Sequence, residues 1–426
     1  MANLTRRSLL VGAGALGLAP GLVSGATTGG KNLVVVVADG GWDASFVFDP
    51  KLDNTWVEGP EVDENARNPD DRNVLRWYGD LPVLLNAARR PRVTHFFDTW
   101  ASRTLFVNGL RIGAVAHDLS RIRLLTGTSS TRNPDIATIV GHHYGADLPV
   151  GSIDTTGKAL VGPLGTSAGR LGTRGQVGYL LDPGLIPPAP AHLGGAVYPQ
   201  FAPDADEQAL LDAFLQERLD GLGAERAGTE AQRWAMAESR TRAQRLVDAR
   251  DVLLDGLEIG APLGASGLID PVVNLLSAGV CRAITVESGL EWDTHFTNED
   301  QHANFDTLFS FLHGLASALD TAGLLDDTVV AVVSEMSRSP MRNRSLGKDH
   351  WPITSAMLFG GGVQGGRVLG GTDDYVQSLA LDLATGAPWA KGDVLEFPHM
   401  AAGLLALLDV DPGPWFPDVT PLGLTT

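Results

Sequence analysis

The apolar run in "KNLVVVVADGG", residues 31–41, constrains the fold more than any other feature of the chain. Its β-branched residues favour a strand that is buried on both faces, as in the interior of a parallel sheet. Similar runs occur in "CRAITVES", "DDTVVAVVSE" and "ITSAMLFGGG". Between "CRAITVES" and "DDTVVAVVSE" lies a segment with apolar residues at helical spacing that stops near Gly323. We therefore predict an α/β fold with a mainly parallel central sheet flanked by helices.

Three other regions differ from this pattern. Residues 203–257 are charged, rich in Ala and Leu and helical in period, which predicts a helical insertion or cover. Segments 50–80 and 183–202 contain Pro, Gly, Asn and Asp with little periodicity, which predicts long surface loops. A length of 426 residues permits up to three domains, but we see no internal repeat and predict a single domain over residues 27–426.

The first 26 residues resemble an export signal. Arg6 and Arg7 precede an apolar run that is too short and too rich in Gly to span a membrane as a stable helix. Small residues follow where a signal peptidase cleaves, so we predict a twin-arginine signal over residues 1–26 with cleavage near Ala26. The protein would then use the twin-arginine export machinery, become periplasmic or secreted, and keep no stable membrane span. An uncleaved anchor and a chance basic start are the alternatives.

The overall charge argues against nucleic acid as a partner. The formal net charge is −18, and removal of a signal with two arginines and no acids would make it −20. So acidic a protein repels a phosphate backbone. Cys281 is the only cysteine, which excludes an intramolecular disulfide and a cluster of thiolate ligands. We expect it to be a small buried apolar residue.

Side chains that can bind metals stand beside each of the predicted strands. In open parallel sheets, ligands bind beyond the carboxyl ends of the strands. Three carboxylates and two imidazoles gathered there would be costly without a cation, so we predict one or two divalent metal ions. Mixed ligands suit Zn²⁺ or Mn²⁺ and oxygen-rich ligands suit Mg²⁺ or Ca²⁺, so the identity is open. The predicted ligands are Asp39, Asp293, His295, Glu335 and His350.

Each of these residues also has a local explanation. Asp39 could shape a turn, Glu335 could cap a helix, and His350 could pack against its neighbour. It is their joint position at strand ends that favours a metal site. Four further residues could support or extend the ligand set: Glu287, Asn298, His302 and Asp349.

Four stretches carry a family resemblance: "VVVVADGGWD", "LEWDTH", "VVSEMSRSPMRNRSLGKDHWP" and "LFGGGVQGGRVLGGTDD". They resemble the family called domain of unknown function 1501, whose members are often exported by the twin-arginine route. That family is placed in the alkaline phosphatase and sulfatase superfamily. The resemblance covers most of the chain after residue 26 and implies an alkaline phosphatase-like fold.

The resemblance also implies roles for individual residues. Met336 stands where phosphatases usually place a histidine of the second metal site, so the chain departs from the full two-metal pattern. The resemblance implies one metal held by Asp293, His295 and His350, and a second held by Asp39 and Glu335.

The stretch "HDLSRIRLLTG", residues 117–127, resembles the sulfatase signature. Ser120, Arg121 and residues 124–127 match it, whereas Leu119 replaces its proline. His117 occupies the position of the modified Cys or Ser, and a histidine cannot become formylglycine. Three roles for His117 remain open: a ligand of the second metal, a general base or nucleophile, or a structural residue.

Four cations lie near the predicted ligands in the sequence. They could bind an anionic group of a substrate or balance nearby carboxylates. They are Arg121, Arg338, Arg342 and Lys348.

These residues together favour a metal-dependent hydrolase of phosphate or sulfate esters that uses metal-activated water. His117 and Arg121 are the expected catalytic residues, and the substrate would be a small-molecule or glycan ester with an anionic group. The alternative is a non-catalytic, metal-stabilised secreted protein for binding or assembly on the same fold. A metallopeptidase is disfavoured because the chain lacks a His-Glu-x-x-His helix.

Overall fold

A computed structural model describes residues 30–61, 70–171, 205–224, 230–250 and 265–425. The predicted signal over residues 1–26 and the predicted loop over 183–202 lie outside these ranges and stay predictions. The strands, in chain order, are β1 (Asn32–Val37), β2 (Val74–Tyr78), β3 (Leu81–Leu85), β4 (Thr104–Arg111), β5 (Ser152–Asp154), β6 (Ala168–Arg170), β7 (Ala283–Glu287), β8 (Thr328–Val333), β9 (Ser337–Arg342), β10 (Lys348–Trp351), β11 (Ile353–Gly360), β12 (Arg367–Gly370), β13 (Ala380–Leu381) and β14 (Asp393–Val394).

The central sheet is mainly parallel, as predicted. In the described part of the chain it has 8 strands in the order β12-β4-β11-β8-β1-β7-β5-β6. The strand β11 runs antiparallel to both of its neighbours, β4 and β8, and the other pairings are parallel. Val35 of β1 is in register with Thr285 of β7 and Ala331 of β8. The carboxyl ends of these three strands therefore meet at one edge of the sheet.

Helices cover the sheet and connect its strands. The helix between β7 and β8 matches the predicted one and ends just before Gly323, whose φ of 69° suits a helix C-terminus. Two helices lie in the predicted insertion, of which residues 203–204, 225–229 and 251–257 fall outside the described ranges. The helices are α1 (Pro91–Trp100), α2 (His117–Thr126), α3 (Ile136–Tyr144), α4 (Ala205–Ala224), α5 (Glu230–Asp248), α6 (Ile269–Ser277), α7 (Asp300–Thr321) and α8 (Phe397–Leu407).

None of the helices in the described ranges combines the length and the apolar character that crossing a membrane requires.

The core has two layers, one on each face of the sheet. Val34 and Val36 pack into the first layer, and Val35 and Val37 pack into the second. This alternation explains the continuous apolar run of β1, because both faces of the strand are covered. The first layer contains an aromatic cluster of buried rings in mutual contact: Trp42, Phe46, Phe48, Phe96, Phe97, Phe106, Trp292, Phe305 and Phe309.

The loop predicted over residues 50–80 is wrong in part. Residues 74–78 form β2, which pairs with β3 in a hairpin. Gly79 lies in the turn with a φ of 67°, which glycine adopts without strain. The strand was missed because β2 is largely exposed and lacks a clear apolar pattern, whereas its partner β3 is mostly buried.

Phe305 offers a test of the aromatic cluster. It is fully buried, and its ring centroid lies 5.0 Å from that of Trp292 and 5.7 Å from that of Phe48. We expect Phe305→Ala to lower the free energy of unfolding by about 3–5 kcal/mol, because it removes apolar contacts and leaves a cavity. Phe296→Ala is the control, since that ring is 79% exposed and its loss should change stability by less than about 0.5 kcal/mol. Equal losses in urea denaturation would contradict this assignment.

Candidate metal centre

The predicted ligands gather at the carboxyl edge of the sheet. Asp39 follows β1, Glu335 follows β8, and Asp293 and His295 lie in the loop after β7. His350 lies in β10, which forms a hairpin with β9 beyond the end of β8. Parallel strands deliver these residues to one edge because their carboxyl ends are adjacent in the sheet.

Two glycines allow the loops to approach each other. Gly40 has a φ of 123°, and a Cβ atom there would lie 2.8 Å from the backbone nitrogen of Asp293. A Cβ atom on Gly347 would lie 2.1 Å from the carbonyl carbon of His295. Such distances exclude a side chain, so the close contacts between loops depend on glycine at both positions.

The ring of His350 is oriented by the backbone. Its Nδ1 lies 2.7 Å from the carbonyl oxygen of Val115. Since a carbonyl oxygen only accepts hydrogen bonds, Nδ1 carries the proton and the lone pair of the neutral ring is on Nε2. That Nε2 atom lies 3.1 Å from Oδ1 of Asp293.

His295 is oriented in the same way by a carboxylate. Its Nδ1 lies 3.2 Å from Oδ1 of Asp349, whose pKa is lowered by a hydrogen bond from Asn343. Its Nε2 lies 3.2 Å from Oδ1 of Asp293 and 2.9 Å from Nε2 of His350. Two imidazole lone pairs and an anionic oxygen thus face one another, and they repel unless a cation lies among them. The donors and their orienting partners therefore fit a metal ion.

Arg338 holds the carboxylate of Asp293 in place. Its guanidinium is fully buried and donates to Oδ1 of Asp293 at 2.6 Å. Burial raises the pKa of Asp293, but this hydrogen bond and the charge of Arg338 outweigh it, so the pKa is lower than usual. Arg338 also donates to the carbonyl oxygens of Gly40, Gly41 and Lys348. Its donors are therefore bound by groups of the protein itself, and the guanidinium is not available to bind a substrate.

His117 and Glu335 form a second pair beside Asp293. Glu335 is fully buried, and its Oε1 accepts hydrogen bonds from the Gly40 nitrogen at 2.9 Å and from His117 Nδ1 at 2.7 Å. The bond to Glu335 raises the pKa of His117. Nε2 of His117 lies 3.6 Å from Oδ2 of Asp293. Ligand atoms of His117, Asp293 and His350 all lie within 4.8 Å of one another.

The carboxylate of Asp39 is bound by two cations. Arg121 lies one turn after His117 in α2 and donates from Nε to Oδ1 at 2.8 Å and from Nη2 to Oδ2 at 3.1 Å. Lys158 donates to Oδ2 at 2.6 Å and to Glu287 at 3.0 Å. Burial raises the pKa of Asp39, but the bonds to these cations outweigh it and the pKa is lowered.

Sequence reasoning missed Lys158. It follows β5 at the same edge of the sheet as Asp39, so its position after a strand was the available signal. The strand has only 3 residues and no long apolar run, which concealed it.

The other two candidate cations balance carboxylates. Arg342 pairs with Glu299 at 2.8 Å and with Glu61. Lys348 is buried and pairs with Asp43 at 2.8 Å. Neither cation is directed at the carboxylate of Asp293.

The candidate supporting residues separate into two groups. Asp349 contacts His295 and Glu287 contacts Lys158, so both belong to the site. Asn298 belongs to the second group and donates to the buried carboxylate of Asp43. His302 instead contacts Arg90 and Glu299. Met336, the residue at which the chain departs from the two-metal pattern, is fully buried.

A family model described as "Protein of unknown function (DUF1501)" matches residues 30–385. The chain belongs to this family. No curated protein matches the chain in sequence. The four stretches that carried the family resemblance all fall within the matched residues, so membership of this family explains them.

Several solved structures align with most of the chain. The lipoteichoic acid synthase LtaP from Listeria monocytogenes is 8% identical, with 92% of this chain and 74% of that chain covered and a TM-score of 0.37. The PsFucS1 sulfatase from Pseudoalteromonas sp. is 10% identical, with 89% and 68% covered and a TM-score of 0.35. The phosphonate monoester hydrolase of Agrobacterium radiobacter is 11% identical, with 92% and 78% covered and a TM-score of 0.34.

Gly40 offers a test of the loop packing at the site. We expect Gly40→Ala to lower the free energy of unfolding by about 1–3 kcal/mol, because the backbone is strained for alanine and the new methyl group meets Asp293. Gly59→Ala is the matched control, since a Cβ atom there meets nothing within 4 Å. Urea denaturation measures both. A Gly40→Ala protein as stable as the control would contradict the described loop contact.

Proposed function

We propose that the protein is a metal-dependent hydrolase that cleaves a phosphate or sulfate ester. The observation that carries this proposal is the convergence of His295 Nε2, His350 Nε2 and Asp293 Oδ1 within 2.9–3.2 Å of one another. Both rings direct their Nδ1 atoms outward to oxygen acceptors. Two imidazoles and one carboxylate resemble the ligand sets of catalytic sites, which keep a coordination position open.

A bound divalent ion would polarise the ester, lower the pKa of water and stabilise negative charge. The chain supplies the proton transfer through His117. Because Glu335 accepts the Nδ1 proton of His117, the Nε2 atom is free to take a proton from the attacking water. The raised pKa of His117 makes that nitrogen a stronger base. Glu335 acts as its positioning residue.

Direct attack by water is favoured over a covalent intermediate. His117 stands at the place of the modified Cys or Ser in the resembling signature. The nearby Ser120 hydroxyl is fully buried, so it is not presented to a substrate. In this proposal Arg121 stabilises the site by donating a hydrogen bond to the carboxylate of Asp39.

We also propose that the protein acts in the periplasm or as a secreted protein, on a small-molecule or glycan ester. The proposed location rests on the Arg6-Arg7 pattern and the small residues before Ala26. The anionic class of substrate rests on the proposed cation and on the resemblance.

A second candidate is a metal-stabilised secreted protein for binding or assembly. The internal pairing of the nearby cations favours it, because Arg338, Arg342 and Lys348 are all engaged with groups of the protein itself. A cation in such a protein would stabilise the loops without turnover.

Ligand removal tests the proposed centre. We expect Asp293→Asn and His350→Ala to lose bound metal and ester hydrolysis together, because each removes a donor from the converging set. Metal content is measured by elemental analysis, and activity on panels of phosphate and sulfate esters with Zn²⁺, Mn²⁺, Mg²⁺ or Ca²⁺. His143→Ala, which removes an exposed imidazole of α3, is the control and should change neither. Hydrolysis that survives in metal-free variants would contradict the proposal. Metal binding without activity on any ester would favour the second candidate.

His117 separates proton transfer from metal binding. We expect His117→Gln to retain the metal and to lower kcat by about 10²–10⁴-fold, because glutamine keeps polar contacts but cannot accept the proton. Metal content and the pH profile of kcat are measured together, and the acidic limb, on which protonation of the histidine removes the base, should disappear. Loss of the metal in this variant would make His117 a ligand instead of a base.

A further inference from the structure

Both oxygens of Asp39 are already occupied by protein donors. Oδ1 accepts from Arg121 Nε at 2.8 Å, and Oδ2 accepts from Lys158 at 2.6 Å and from Arg121 Nη2 at 3.1 Å. The side chain of Asp39 is only 16% exposed, so these bonds are shielded from water. A metal ion at Asp39 would have to share both oxygens with a guanidinium or an ammonium group, whereas in the described part of the chain the Arg338 guanidinium binds Asp293 through Oδ1 alone.

The buried charges around Asp39 are balanced without a metal. Asp39 and Glu287 supply two negative charges, and Arg121 and Lys158 supply two positive charges in direct contact with them. Arg121 also pairs with Asp118, but that side chain is 94% exposed and water screens its charge. A divalent ion added there would lie beside two fixed cations and be repelled by both.

The charges around Asp293 are different. Asp293 and Glu335 carry two negative charges, and among the described residues Arg338 supplies the one permanent positive charge in direct contact with either of them. Oε2 of Glu335 is buried and, within the same described residues, has no hydrogen-bond partner. The deficit of positive charge therefore lies on this side of the site.

The expected second ligand set is also dispersed. His117, the third member beside Asp39 and Glu335, directs Nδ1 to Glu335 and Nε2 toward Asp293 Oδ2 at 3.6 Å. Its ring packs against that of His350, with centroids 4.5 Å apart. The nitrogens of His117 are thus directed at Glu335 and Asp293, and not at Asp39.

We propose that Arg121 and Lys158 together replace a second metal ion, so that each chain binds one metal ion and Asp39 is not its ligand. This inference rests on the proposed metal centre and limits the number of its metal ions to one. Arg121 and Lys158 are positioning residues that neutralise Asp39 and hold the loop after β1 against α2 and the segment after β5.

Metal stoichiometry tests the inference directly. The full chain is stripped with a chelator, loaded with excess Zn²⁺, Mn²⁺, Mg²⁺ or Ca²⁺, freed of unbound metal, and assayed for metal per chain by mass spectrometry. We expect about one equivalent in the natural protein and in Asp39→Asn, and almost none in Asp293→Asn. Two equivalents in the natural protein, with one lost in Asp39→Asn, would overturn the inference and leave the proposed function standing. No metal in the natural protein would overturn both.

Thermal stability provides a second measurement that does not depend on Asp39→Asn being soluble. A bound metal raises Tm only through residues linked to it. We expect Lys158→Met to lower Tm to the same extent with and without metal, because it leaves Asp39 and Glu287 short of a partner but removes no ligand. The rise in Tm on adding metal should persist in this variant and vanish in Asp293→Asn. A metal-induced rise that changes with Lys158→Met would show that the ion lies at Asp39 and would overturn the inference.

Discussion

The guanidinium of Arg338 lies wholly inside the protein and joins three segments that are distant in sequence. It donates to the carbonyl oxygens of Gly40 and Gly41 after β1, to that of Lys348 in β10, and to the carboxylate of Asp293 after β7. A buried guanidinium is stable only when its donors are satisfied, and here carbonyl oxygens and one carboxylate satisfy them. The planar group also fixes the relative positions of these loops, and the orientation of Asp293 depends on it.

The carboxylates near this guanidinium differ in how their negative charge is compensated. Asp39 is paired with Arg121 and Lys158, which are side chains of the protein itself. Asp293 and Glu335 have one permanent positive charge in direct contact among the described residues, which is why the proposed metal ion belongs beside them. This difference explains why the five predicted ligands, all carboxylates or imidazoles near strand ends, need not bind the same metal ion.

Much of the fold could be predicted because strands buried on both faces leave continuous apolar runs, as in β1, β7, β8 and β11. The gathering of Asp39, Asp293 and Glu335 at one edge followed from the rule for parallel sheets. The pairing of each carboxylate did not, because it depends on loop geometry that has no periodicity. Lys158 escaped notice because its strand is very short, and the role of Arg338 was hidden because full burial of a guanidinium cannot be inferred from its neighbours in sequence.

The position of β1 in the sheet affects how the chain reaches its folded state. Val35 pairs with Thr285 and Ala331, so this strand must wait for partners that lie far later in the chain. Until then its apolar edges are open to association with other chains, and closing so long a loop is slow. Arg338 can bind the carbonyl oxygens of Gly40 and Gly41 only after this closure. The proposed metal centre would therefore be completed late in folding, when the loop after β1 joins Asp293 and His350 at the edge of the sheet.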